Sequence, residues 1–299
     1  MYNYNKIQNN NRGEIMSKFK KAVIAYISPG GATKEAAFAL KDALASKKIE
    51  VSVFEVGRKN SYDNVKKALL EDGVIFFPGS PVYVSKMLPP IKELIVQAKT
   101  DKKIPCVPFV TWGCVTSGIA LYDAGKTLNE NGFEIAGAFK VPGPHSMMTP
   151  SEDALGAGHP DGNDKKIISE FVEKLLKLLE SDDFSSKCLT PEDIQYQPEE
   201  RKAEMEKGDV YKARAGMPQK MVSESLCTTC GVCAELCPVE AIELDPYPVF
   251  NDNCISCFNC YKQCPEEAIL CDLLPVVERI KQRKKMFDEP EKASYFINQ

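Results

Sequence analysis

Histidine occurs only twice and tryptophan once in 299 residues. A chain so poor in imidazole has little with which to build the common acid–base and zinc sites, and no acid, base and nucleophile constellation stands out. No stretch approaches the ~18 consecutive apolar residues of a spanning helix, so no membrane partner is expected. The opening MYNYNKIQNNNRGEI holds five asparagines in its first eleven residues and no apolar segment, so it does not read as a secretory signal. Residues 1–19 are expected to form a disordered tail, with Met16 an alternative start. Basic excess is missing too: the net charge is −4, which gives no support to a nucleic-acid partner.

Cysteine, by contrast, is abundant. Twelve cysteines without an export signal point away from a disulfide scaffold and towards metal binding in a reducing, cytoplasmic setting. Eight of them fall in two copies of one pattern, CTTCGVCAELCP from Cys227 to Pro238 and CISCFNCYKQCP from Cys254 to Pro265. An offset of 27 residues superposes Cys227 on Cys254, Cys237 on Cys264 and Pro238 on Pro265, which implies a small pseudo-twofold domain over 222–273.

Thiolate sulfur suits iron, and three cysteines spaced two residues apart let one tight loop present three ligands to one face of a cubane. In paired runs of this kind the fourth cysteine serves the other cluster. Cluster one is then expected on Cys227, Cys230, Cys233 and Cys264, and cluster two on Cys254, Cys257, Cys260 and Cys237. Paired zinc knuckles are the competing reading, but such sites favour two separated ligand pairs and often histidine, and this segment has none. Two [4Fe–4S] clusters are therefore the expected metal cofactors, stapling a module too small to bury much core.

Upstream, short apolar strands alternate with helical patterns from Lys21 to Val141. Strands are expected at Ala22 to Ile27, Val51 to Val56, Gly73 to Pro78, Cys106 to Trp112 and Phe133 to Val141, with helices near 32–47, 62–71, 88–98 and 117–131. Runs such as VIFFP are apolar on both faces, as in parallel strands buried between helix layers. The expected fold is α/β, a doubly wound five-stranded parallel sheet over 20–182, closed by an amphipathic helix carrying Ile168, Phe171, Val172 and Leu175. A charged, proline-rich linker is expected over 183–221, with room for a helix near Glu199 to Lys207, and a basic C-terminal helix and tail over 274–299.

The segment IAYISPGGATKEAAFAL runs from strand to helix through Ser28, Pro29, Gly30, Gly31, Ala32 and Thr33. Small residues at a helix N-terminus let backbone N–H groups converge on a phosphate, and two hydroxyls are at hand. The loop lacks both GxGxxG and the P-loop lysine, so NAD, FAD and ATP are poorly supported there. With Tyr26, Ser28, Gly31, Thr33, Ala37 and Leu40 it resembles the flavodoxin phosphate loop, departing at Ala25, where a larger residue is usual.

Two further loops, GSPVYVSKMLPP and TWGCVTSG, follow the third and fourth strands. The chain from about residue 20 to 275 is similar to the flavodoxin–ferredoxin fusion proteins of anaerobes. That resemblance implies a flavodoxin-like FMN domain followed by a ferredoxin-like α+β domain. It implies FMN held by the phosphate loop, with Tyr83 or Trp112 stacking on the ring. The backbones of Ser80, Pro81 and Val82 and of Thr111, Trp112 and Gly113 would meet its polar edge, and His145 would lie nearby. A redox role for Cys114, in the loop after the fourth strand, is the less expected alternative to packing.

Electron transfer between the clusters and FMN is the function expected, with a redox protein docking near the acidic module and a homodimer left open. Residues 222–273 hold nine acidic side chains and one basic, Lys262. An oxidoreductase acting directly on NAD(P)H or a small organic acceptor is the first alternative, and a redox-sensing interaction module the second.

Overall fold

The computed structural model describes residues 18–57, 61–149 and 151–298. Most of the expected N-terminal tail, Met16 included, lies outside them.

Five parallel strands form the sheet: β1 (Lys21–Tyr26), β2 (Glu50–Glu55), β3 (Val74–Tyr83), and β4 and β5, each in two segments (Ile104–Cys106 with Phe109–Trp112; Phe133–Ile135 with Ala138–Pro142). Pro108 interrupts β4 because proline brings no N–H to the ladder. A short strand, β6 (Ser294–Phe296), adds antiparallel to β5, pairing Ser294 with Lys140. The expected basic helix is present, and the tail after it completes the sheet. The order is β6-β5-β4-β3-β1-β2, whose five parallel members are the flavodoxin-like 2-1-3-4-5 arrangement.

Helices α1 (Ala32–Ser46) and α5 (Gly162–Leu179) cover one face, and α2 (Ser61–Leu69), α3 (Pro89–Gln97) and α4 (Ala120–Glu130) cover the other. The strands are apolar on both faces because each face has its own core. Leu40, Leu44, Phe171 and Leu175 pack on one side, and Ile91, Leu94, Leu121 and Leu128 on the other. Phe109 and Phe139 stack at 5.1 Å between the sheet and α5. Asp161 starts α5 with a capping box, its carboxylate accepting from the amides of Asn163 and Asp164.

The strand register aligns Tyr26 with Gly79, Pro81 with Thr111, and Trp112 with Pro142. The loops after β1, β3, β4 and β5 therefore open at one edge of the sheet. The chain leaves β1 for β2 and returns to β3 on its other side, which puts the topological switch at the same edge.

Residues 183–221 are more than a tether. They hold a helix at Glu199–Met205 and a turn of helix at Val210–Ala213. Ile194 packs so closely on α4 that a Cβ at Gly125 would lie 2.8 Å from its Cδ1. Tyr196 stacks on Phe296 of β6 at 5.6 Å.

The cysteine module has a hairpin, Ile242–Asp245 with Tyr247–Phe250, a short pairing of Met221–Val222 with Ile269–Leu270, and matching one-turn helices at Val232–Glu235 and Asn259–Lys262. Helix α6 (Leu274–Lys284) follows. The module is docked on the sheet: Gly57 has a φ of +112°, and a Cβ there would meet the Pro238 carbonyl oxygen at 2.2 Å. Ile255 and Cys257 join the apolar cluster that contains Tyr83, and Phe258 packs with Val115, Met148, Val276 and Ile280.

Candidate functional site

A cavity of about 450 Å³ opens at the switch-point edge. Of the residues expected to bind cofactor, Gly30, Ala32, Thr33, Pro81, Val82, Tyr83, Thr111, Trp112 and Gly113 line it. Ser28, Pro29, Gly31 and Ser80 are not in its wall, and two of these serve the backbone instead. Ser28 Oγ accepts the Lys34 amide at 2.9 Å, capping the first turn of α1, and Ser80 Oγ accepts the Leu88 amide at 2.9 Å. Gly31 makes the sharp entry to α1 with φ 92°. The amides that follow it are among those a helix cannot satisfy internally, so the end of α1 offers free donors to the cavity. Thr33 and Thr111, both buried, join hydroxyls at 2.7 Å and tie the first loop to the fourth strand.

Tyr83 ends β3 and hydrogen-bonds Ser146 at 3.1 Å; burial holds its phenol well above the usual range, and nearby Cys257 adds to the shift. The hairpin beyond it turns through Val84 and Ser85 with φ of 50° and 66°, left-handed conformations costly for a β-branched residue. Trp112 is buried, with the Lys140 ammonium 5.7 Å from its ring, so it is part of the wall and not a free stacking face. Among the described residues its indole N–H has no partner, and neither does the buried Ser256 hydroxyl; both residues line the cavity. Two residues with orphaned polar groups in one cavity wall suit a ligand that combines a flat apolar body with hydrogen-bonding edges.

His145 lines the cavity, and its ring would lie 2.6 Å from a Cβ at Gly113. Burial pushes its pKa down to about 4, with Lys262 adding to the effect, so the ring is neutral at pH 7. Nδ1 accepts the Met147 amide at 3.3 Å, which leaves the proton on Nε2. Cys114 is fully buried, and burial pushes its thiol up to about 12, which argues for packing over redox work.

The remaining wall comes from outside the sheet domain: Met217 after the 183–221 segment's last turn, Ile255 and Ser256 from the second cysteine loop, and Val276 and Ile280 from α6. Arg214, Arg279 and Arg283 also line it, and among the described residues no carboxylate does. Sequence reasoning missed these because nothing in their spacing links an irregular segment, a cysteine loop and a basic helix to one cavity.

The eight cysteines gather as two cages. Cys227, Cys230, Cys233 and Cys264 line one small cavity, and Cys237, Cys254, Cys257 and Cys260 another, the crossed grouping that the repeat implies. The Ala268 amide donates to Cys264 Sγ and the Ala241 amide to Cys237 Sγ, each at 3.2 Å, so the pseudo-symmetry extends to hydrogen bonds. A zinc tetrahedron needs sulfurs about 3.8 Å apart. Among the described residues the group of three or more potential ligand atoms within 4.8 Å of one another belongs to His159, Asp161 and Asp164, which are engaged in capping α5. Burial raises Cys257 and Cys260 to about 12, and a bound cation would supply the charge needed to deprotonate them. Donor type, number and hydrogen bonding fit iron–sulfur clusters.

Residues 220–243 match the family described as the 4Fe-4S binding domain. No curated protein matches the chain. Among solved structures, the rubredoxin oxygen:oxidoreductase of the anaerobe Desulfovibrio gigas is similar at 18% identity and TM-score 0.43, over 55% of this chain and 37% of that one. A flavodoxin from the domain Archaea is similar at 20% identity and TM-score 0.41, over 54% of this chain and 99% of that one. A flavo di-iron protein of Thermotoga maritima gives 20% identity and TM-score 0.41, over 55% of this chain and 37% of that one. The likeness is one of fold. The chain thus spans little more than a third of the length of the first and third of these proteins.

Proposed function

We propose that the chain is an electron-transfer iron–sulfur flavoprotein of the flavodoxin–ferredoxin fusion type. In this reading the main cavity holds FMN and the two cages hold [4Fe–4S] clusters. The protein links a low-potential one-electron carrier to a partner redox enzyme or acceptor. The observation that carries the proposal is Ile255. It lies between the second cage's Cys254 and Cys257, and it lines both that cage and the main cavity.

The residues have separable tasks. The Ser28 to Thr33 loop and the end of α1 orient a phosphate with backbone amides, with Thr111 fixing Thr33. Trp112 Nε1 and the Ser256 hydroxyl donate to acceptor edges of the ring, and Tyr83 and Val82 supply an apolar wall. Neutral His145 offers Nε2–H as a further donor. The cysteine loops fix the clusters' spacing from the cavity, and Met217, Val276 and Ile280 exclude water from its far side. When bound, flavin adds the capacity to hold one or two electrons, beside clusters that pass one at a time.

Anaerobic purification with absorption spectroscopy, iron and sulfide counts and analysis of released flavin tests this. The expected result is about eight irons, about eight sulfides and one FMN per chain. Two irons or fewer with no flavin would overturn it.

One observation favours a second reading, a reductase acting directly on NAD(P)H or a small organic acceptor. Three arginines and, among the described residues, no carboxylate in the cavity wall suit an anionic small molecule. Bleaching of the flavin by a reduced nicotinamide alone would decide for it.

A further inference from the structure

The two cages are related by the internal repeat, yet their surroundings differ. Every residue lining the second cage is buried or half-buried, and it faces the main cavity through Ile255. The first cage is lined by exposed Thr228, Thr229, Cys230, Leu244, Pro265 and Glu266. Beside it Leu226 is 49% exposed, and Leu244 is 45% exposed, large apolar side chains left in water around a redox site.

The module's own charge is almost all of one sign, and of its acidic residues Asp252 is paired with Arg214 from the preceding segment. All nine acidic residues of 222–273 are exposed, among them Glu266 in the cage wall and Asp245 next to Leu244. The single basic residue, Lys262, is half-buried on the inner side, where it acts electrostatically on Cys257 and His145. Among the described residues no lysine or arginine lines the first cage. An apolar centre in an acidic rim is complementary to a partner with an apolar centre in a basic rim.

We propose that the outer face of the first cage is the docking surface for a small, basic, one-electron carrier protein, and that the second cage contacts no partner. This rests on the cluster-bearing reading above. It adds which of the two equivalent-looking sites meets the partner, and by what chemistry.

Cytochrome c, a small basic haem protein, is the probe. Its binding to the anaerobic holoprotein is measured by calorimetric titration at low and at physiological ionic strength, for wild type and for Leu244→Lys, Leu226→Lys, Glu266→Lys and the distant control Glu130→Lys. Iron and flavin contents of each variant are determined first, so that loss of a cluster, which bears on the function itself, is separated from loss of docking. The expected result is binding that weakens with salt, by about five- to tenfold more in each of the three face variants, and by less than about twofold in the control. Absence of binding by wild type, equal weakening in the control, or unchanged binding in the face variants would overturn the proposal. So would a holoprotein dimer in sedimentation that Leu244→Lys dissociates, because the face would then belong to a second copy.

Discussion

The Lys220 ammonium stands 3.3 Å from Cys254 Sγ and caps the rings of Phe250 and Phe258 at 4.8 and 5.1 Å. Cys227, the counterpart of Cys254 in the first motif, has no lysine at its sulfur among the described residues. A cation beside one cluster stabilises its reduced, more negative state. At roughly 6 Å and an effective dielectric of about 20–40, a unit charge is worth about 1.5–3 kcal/mol. Lys220→Met is therefore expected to lower the potential of one cluster by on the order of 65–130 mV and leave the other within error. Redox titration followed by electron paramagnetic resonance measures both, and equal shifts in the two would show that Lys220 is not specific to the second cage.

The phosphate loop makes a distinct prediction. Thr33→Val removes a hydroxyl from the loop and from its buried bond to Thr111. FMN affinity is expected to fall about tenfold, with riboflavin affinity nearly unchanged. Fluorescence titration of both flavins reads the difference, and an equal loss for the two would place the phosphate elsewhere.

Lys140 and Glu289 form a buried ion pair, each side chain about 10% exposed, that fastens the C-terminal segment under the cavity. Glu289 also accepts the Ser117 amide at 2.8 Å and the Thr116 hydroxyl at 3.0 Å, and Lys140 lies 4.0 Å from the centre of the Tyr196 ring. Glu289→Ala leaves an uncompensated buried cation, which is expected to cost about 3–5 kcal/mol. A Lys140→Met, Glu289→Leu double variant is expected to recover most of that. Denaturant melts of the holoproteins test it, and additive losses would mean the pair acts as two independent contacts.

His145 sets a pH dependence. Its pKa falls from 6.5 to about 4 on folding, so between those values the unfolded chain binds the proton and the folded chain does not. The contribution to stability is complete above pH 6.5 and is lost as pH falls towards 4. His145→Asn is expected to flatten the melting temperature against pH over this window, and an unchanged slope would assign it to other groups.

Much of this was legible in the sequence, because local rules govern it. Apolar runs marked the strands, amphipathic spacing marked α5, and the doubled CxxCxxC run marked the two cysteine groups before their cages were seen. What was hidden depends on distant pairing. β3 runs on to Tyr83 and then into a hairpin turn at Val84 and Ser85 that has no glycine to announce it. β6 is three residues long, too short for any period to show, and β5 alone gives it a partner. Residues 183–221 lack periodicity since they pack through single anchors, Ile194 on α4 and Tyr196 on Phe296. For the same reason Arg214, Ile255 and Arg279 could not be assigned to one cavity from spacing alone.

The central claim is that clusters and flavin exchange electrons inside one polypeptide, across the wall formed by Ile255. The most direct test photoreduces the anaerobic holoprotein in a short pulse and follows cluster and flavin absorbance over a wide range of protein concentration. The account predicts that electrons redistribute between the two centres with a first-order rate that does not change with concentration. A rate that rises in proportion to concentration, or a flavin that never responds to cluster reduction, would contradict it.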